Sequence, residues 1–278
     1  MSVIMRLRDM KAKTQTESQI SKFIIEHPHE VLSMNSTELA EKCYTSPSSI
    51  VRLSKRIGLS GYPELKIKLA AELKMFDEQR LKIHENRELN QEDSIDDVIA
   101  KITAIHIDSI RETEMLVEAR ILKQVLEVLA QAKRIDFFGM GASHLVALDA
   151  QYKFMRLGKT TAAFSDPHQQ IVQAANADDK TVAFVISYSG ETPEVLRVCR
   201  RLRENGATIV SITGTSHNPT VQIAHHKLYI SSKETKFRSA ATSSRIAMLT
   251  LIDMIYNAYA NEHYEAAIEQ LTKTRIKK

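Results

Sequence analysis

The sequence predicts an α/β protein: an N-terminal all-α bundle containing a helix-turn-helix, joined to a doubly wound parallel sheet with helices on both faces, an αβα sandwich. Three observations carry this expectation. Glycine and proline are unevenly placed, with none between Glu64 and Ile135 and six of the eight glycines between Gly139 and Pro219, so a helical front half precedes a turn-punctuated back half. In the back half, short apolar or β-branched runs alternate with helix-length segments. The helix starts there repeat one device, Asp166-Pro167, Thr192-Pro193 and Asn218-Pro219, a capping side chain ahead of an N1 proline.

In the front half, Thr14 to Glu17 forms a capping box ahead of Ile20, Phe23 and Ile24, and the helix it starts ends at His27-Pro28, because the residue before proline leaves helical backbone. Asn35 or Ser36 caps a second helix over residues 37–43, whose Leu39 and Ala40 face inward. After a turn at Tyr44, Thr45 and Ser46, Ser46 caps a third helix with Pro47 at its first position, and Gly58 closes it. A further helix covers residues 63–76. Periodicity places Leu39, Ala40, Cys43, Ile50, Val51, Leu53 and Ile57 in a shared core and turns Ser48, Ser49, Arg52, Lys55 and Arg56 outward. Residues 77–93 are almost wholly polar, with six acidic and three basic side chains, and read as a solvated linker with a helical start.

Strands are expected at residues 134–138, 160–164, 181–187, 208–213 and 227–231, with Gly158 and Gly206 ending two of the intervening helices. An all-α stretch over residues 94–133 precedes the first strand. The expected organisation is therefore a helical domain at 1–77, a linker at 78–93 and a sheet domain at 94–278.

Composition narrows the function classes. With 43 % apolar and 26 % charged residues the 278-residue chain has material for a core and is neither disordered nor a disulfide scaffold. Cys43 and Cys199 lack CxxC neighbours, which points to a reducing cytosol and to neither a metal nor a redox cofactor. The N-terminus lacks the apolar core of a signal peptide, and the longest nearly apolar stretch, 246–256, is too short for a bilayer. A cytoplasmic protein with no membrane partner is expected. The net charge of +4 is uninformative until it is located: residues 42–68 hold six basic side chains and one acid. Small hydroxyls at the start of the third helix with cations further along suit base edges and DNA phosphates, respectively.

Two loops of the back half suit an anion. Gly139-Met-Gly141-Ala-Ser143 follows a strand and opens a helix, but His144 stands where a dinucleotide fingerprint needs its third glycine. The loop Ser187 to Pro193 offers three hydroxyls, a glycine and the free N–H groups of a helix start, and it lacks a Walker lysine, so a sugar phosphate fits better than a nucleotide.

These motifs carry two resemblances. Ser36 to Ala40, Thr45 to Arg52, and Gly58, Gly61, Tyr62, Leu65 and Lys66 together resemble the N-terminal domain of RpiR-type transcriptional regulators; Ser49 stands where that family often has Thr. Gly-x-Gly-x-Ser followed by Ser-x-Ser-Gly-x-Thr, with Ser211 to Thr215 and the Ser244 to Asp253 helix, resembles the sugar isomerase (SIS) domain, which implies a domain core at 122–264 behind a helix-turn-helix DNA-binding domain at 1–77. The resemblance implies a regulator, by default a repressor, in which Ser46, Ser48, Ser49, Arg52, Lys55 and Arg56 meet a near-palindromic operator. It further implies that Ser143, Ser187, Ser189, Gly190 and Thr192 hold the phosphate of a sugar-phosphate effector, that Glu191 meets a sugar hydroxyl, and that the chain forms a homodimer or homotetramer. The alternatives are a sugar-phosphate isomerase or etherase with an accessory helical domain, for which Glu191, His144, His168, His217, His225 and His226 are the acid/base candidates, and a phosphosugar-binding adaptor.

Overall fold

The computed structural model describes residues 2–10, 14–85, 89–231 and 241–275. The chain divides into two compact units, Met1–Ala100 and Lys101–Lys278. Residues 86–88 of the expected linker lie outside the described residues.

The first unit contains α1 Val3–Asp9, α2 Gln15–Glu26, α3 Pro28–Ser33, α4 Ser36–Lys42, α5 Pro47–Arg56 and α6 Tyr62–Glu85. Thr14 and Asn35 both close capping boxes, with Glu17 and Glu38. Gly58 takes φ +82°, and the N–H of Leu59 returns to the Ser54 carbonyl at 3.1 Å, so α5 ends in the left-handed turn that its glycine allows. Leu7, Ile20, Ile24, Leu39, Ile50, Leu53, Leu65 and Leu69 form the buried centre. Two side chains depart from expectation. Val51 is only half-buried, whereas Ser54 is fully buried and donates to the Ile50 carbonyl at 2.9 Å, which lets a hydroxyl sit in an apolar core at little cost.

Helix α7, Ile95–Leu116, carries the boundary between the units, and α8, Ala119–Gln131, leads into the sheet. All five expected strands form: β1 Arg134–Gly139, β2 Thr160–Ala162, β3 Thr181–Ile186, β4 Thr208–Gly214 and β5 His226–Ile230. They pair in parallel in the order β2-β1-β3-β4-β5. The intervening and following helices are α9 Ala142–Arg156, α10 Pro167–Ala175, α11 Pro193–Glu204, α12 Pro219–Ile223, α13 Thr242–Glu262 and α14 Tyr264–Lys273.

Alternation along the strands assigns the two faces. Ile135, Phe137, Val182, Phe184, Val210, Ile212 and Leu228 point into a core shared with α8, α9, α13 and α14, and Phe137 stacks on Phe184 at 5.3 Å. Phe138, Ala183, Val185 and Ile209 point the other way, onto α10 and α11. Near-continuous apolar runs such as Thr181–Ile186 are what a parallel strand covered on both faces requires. Asp166 and Asn218 cap their helices as expected, accepting from Gln169 and Val221.

Both cysteines are buried and reduced, and burial pushes the Cys199 thiol up to about 12, so neither is a ready nucleophile. No helix among the described residues is long and apolar enough to cross a membrane.

Asp136 is a fully buried carboxylate on β1, and desolvation raises its pKa although Arg134 donates to it at 2.8 Å. A folded-state pKa above the unfolded value contributes stability at low pH that is lost as pH rises through the folded value. Asp136→Asn keeps an acceptor for Arg134 and carries no charge. The variant's melting temperature should therefore gain on that of the wild type between pH 4 and pH 7, as thermal unfolding at the two pH values checks; a constant difference would contradict the assignment.

Candidate functional site

The helix-turn-helix comprises α4 and α5 joined through Cys43 to Ser46. Ser46, Ser48, Arg52, Lys55 and Arg56 are exposed and Ser49 is half-buried. Ser46 sits at the N-cap position, yet its hydroxyl makes no cap bond; it meets the hydroxyls of Ser48 at 2.8 Å and Ser49 at 3.0 Å. Arg52 donates to Ser49 Oγ at 3.1 Å, so hydroxyls and guanidinium form one connected polar patch at the start of α5.

The basic stripe is narrower than its sequence suggests. Lys42 pairs with Glu30 at 3.4 Å, Lys68 with Glu64 at 2.8 Å, and Arg56 with Glu17, whose carboxyl is held below its ordinary range first by the Thr14 backbone N–H and then by Arg56. Lys66 donates to the Met34 carbonyl at 2.9 Å, and the Tyr62 hydroxyl donates to the same carbonyl at 3.1 Å. The Gly58-x-x-Gly61-Tyr62-x-x-Leu65-Lys66 signature is thus a structural clasp on the end of α3. Arg52 and Lys55 are left without an acidic partner among the described residues.

Tyr44, absent from the sequence-based set, is 92 % exposed and holds left-handed backbone, φ +50°, in the turn. A bulky non-glycine in that region is uncommon, and nothing in the polar pattern of the turn signals it.

In the second unit, the chain order reverses between β1 and β3. Helix α9 leaves β1 for one face of the sheet and α11 leaves β3 for the other, so the loops diverge at the carboxyl ends of the strands and open a crevice. An open cavity of about 530 Å³ lies there. Its lining includes Ser143, Ser187, Ser189 and Thr192, four of the predicted phosphate ligands, brought together from the first turn of α9 and the β3–α11 loop.

The backbone that holds this cradle is over-determined. Gly139 lies so close to α9 that a Cβ would stand 2.9 Å from the Ser143 backbone. Gly190 takes φ +65°, and its own Cβ would stand 2.0 Å from Oδ1 of the buried Asn218. The Gly190 carbonyl accepts from Thr220 Oγ1 at 2.7 Å, and its N–H meets Ser187 Oγ at 3.2 Å. Thr192 occupies the N-cap of α11 without a side-chain cap bond, so its hydroxyl is not committed to the helix, and the residue lines the cavity.

Glu191 is exposed and outside the lining, and none of the histidines proposed above as acids or bases lines the cavity either. His144 is buried, and burial lowers its pKa; His225 is lowered by burial and by Arg203, and its Nδ1 accepts from the Ile209 N–H at 2.9 Å. Sequence reasoning missed Tyr188, Ser244, Arg245 and Met248, which also line the cavity.

The described residues thus form a helix-turn-helix unit and a parallel α/β unit with a hydroxyl cradle at its switch point. Residues 1–75 match the helix-turn-helix domain of the rpiR family and residues 128–258 match the SIS domain. The chain belongs to the rpiR family of helix-turn-helix regulators bearing a SIS domain. It is 38 % identical over 98 % of its length to an uncharacterised HTH-type transcriptional regulator of Caldanaerobacter subterraneus, covering 95 % of that protein. It is 32 % identical over 97 % of its length to the uncharacterised regulator YbbH of Bacillus subtilis, covering 94 % of it. Among solved structures it resembles the Vibrio vulnificus NanR protein complexed with ManNAc-6P, with a TM-score of 0.60 and 26 % identity over 98 % of this chain and 96 % of that one.

Proposed function

We propose that this regulator is a cytoplasmic repressor, and not an enzyme, whose SIS unit binds a phosphorylated sugar and whose α5 reads a near-palindromic operator as part of a homodimer or homotetramer. The carrying observation is the cradle: Ser143, Ser187, Ser189 and Thr192 line one cavity beside the free N–H groups that start α11. The ManNAc-6P complex of NanR supports a sugar phosphate as the ligand class. A catalytic reading needs an acid or base within reach of the substrate, and none of the six candidates lines the cavity. Control follows from linkage: the effector shifts the balance between operator-competent and incompetent states by its differential affinity for them, and by nothing else.

The 6-phosphates of glucose, glucosamine, N-acetylglucosamine and N-acetylmannosamine, each beside its free sugar, provide the test. A true effector at 100 times its Kd raises the melting temperature by about 5–10 °C. Ser189→Ala should weaken that effector by about 10- to 100-fold, the cost of a hydrogen bond to a charged group, while operator binding in its absence is unchanged. Stabilisation by free sugars equal to that by phosphates would refute the reading.

A further inference from the structure

The cradle as described is electrically incomplete. Its hydroxyls and backbone N–H groups offer only partial charges, while a phosphomonoester carries about −1.5 to −2 at neutral pH. Withdrawing that charge into a half-closed cavity is costly unless a full countercharge meets it.

Among the described residues, one charged side chain lines the cavity, Arg245. It is half-buried and, among the described residues, makes no ion pair or side-chain hydrogen bond. Other cations of this unit are engaged: Arg134 by Asp136, Lys153 by Asp149 and Asp253, Arg197 by Glu194, Arg201 by Glu204. Its place adds to the anomaly. Arg245 lies in the first turn of α13, its N–H bonded to the Ala241 carbonyl, where the positive end of the helix dipole disfavours a cation. Ser244 beside it also lines the cavity, and α13 packs against α9, the helix that carries Ser143. A guanidinium held there, with no anion against it among the described residues, is available to what enters the cavity.

We propose that Arg245 is the specificity-determining cation of the site: its guanidinium fork meets the effector's phosphate from the α13 side, opposite the hydroxyls of the β3–α11 loop, and selects a dianion over an uncharged sugar. This rests on the phosphosugar reading above. The fork suits two phosphate oxygens at once, a geometry that a lysine ammonium provides only as a point charge.

The test repeats the sugar and sugar-phosphate set on full-length wild type, Arg245→Lys and Arg245→Gln, at pH 5 and pH 7.5. Wild-type affinity for the effector should rise across that interval as the phosphate loses its second proton, near pH 6. Arg245→Gln should bind the phosphate at least 10-fold more weakly, lose most of that pH dependence and bind the free sugar as wild type does. Arg245→Lys should fall between the two, and it carries the comparison if the glutamine variant does not fold. A glutamine variant that kept the wild-type preference for phosphate and the wild-type pH dependence would overturn the assignment. Failure of the phosphosugar reading looks different, because wild type itself would then respond equally to phosphorylated and free sugars.

Discussion

Gly190→Ala should abolish effector-induced stabilisation and lower the melting temperature of the ligand-free protein by about 10 °C. The added Cβ meets Asn218 Oδ1 at 2.0 Å and Cγ at 2.2 Å, and at φ +65° the alanine is strained before any contact is made. Left-handed backbone costs an alanine about 1 kcal/mol relative to glycine. Asn218 cannot step aside freely, since it is 1 % exposed, caps α12 through the Val221 N–H at 3.0 Å and donates to the Ser216 carbonyl at 2.9 Å. Losing that cap and that hydrogen bond adds about 2 kcal/mol, for a total of about 3 kcal/mol. A shift of the β3–α11 loop relieves the rest of the clash and moves Ser187, Ser189 and Thr192 out of register, which is the route by which binding is lost.

The two routes separate in a double-mutant cycle read by denaturant unfolding. Asn218→Ala alone loses the cap and the donor; combined with Gly190→Ala it also removes the atoms that clash. The double variant should be more stable than the sum of the single losses by about 1–2 kcal/mol. Strict additivity would show that Gly190 and Asn218 do not meet as described.

How far the site was legible depended on how local its parts are. Four cradle hydroxyls occupy two short strand-to-helix junctions, Ser143 in the first turn of α9 and the others between β3 and α11, so glycine, proline and serine positions sufficed to find them. Arg245 belongs to a helix that begins some 50 residues beyond Thr192 and reaches the cavity only because α13 packs on α9. No periodicity or motif within a short window encodes that approach. The same limit explains the basic stripe: net charge over residues 42–68 was correct, but Lys66 and Arg56 are engaged by Met34 and Glu17, groups distant in sequence.

At the level of elements, strong punctuation decided what was readable. The helices started by Pro47, Pro167, Pro193 and Pro219 were legible from a capping residue ahead of a proline, and the five strands from their apolar or β-branched runs between helices. Helix α3 has only six residues, too few for a period to emerge, and α1 and α14 begin without a proline or glycine to mark them. Helix α6 continues to Glu85, past residue 76 where the sequence predicts its end, through a stretch whose polar composition reads as linker.

The double variant Arg52→Ala, Lys55→Ala should reduce operator affinity by about 100-fold at 0.15 M salt and lower the slope of log affinity against log salt by about 2. Both cations are exposed on α5, and neither has an acidic partner to release before it meets DNA. Each phosphate contact releases about 0.9 counterion, so two lost contacts account for the slope, and about 1.4 kcal/mol apiece accounts for the affinity. Arg56→Ala is the informative control. Its guanidinium is already paired with Glu17, and trading that pair for a phosphate gains less, so its slope should change by less than 1. Ser49→Ala separates positioning from charge: it removes the acceptor that holds Arg52 at 3.1 Å while leaving both cations, and should weaken binding with the salt slope unchanged. Equal slopes in wild type and the double variant would mean that the duplex does not lie along this face of α5, and the polar patch from Ser46 to Arg52 would lose its assignment with it.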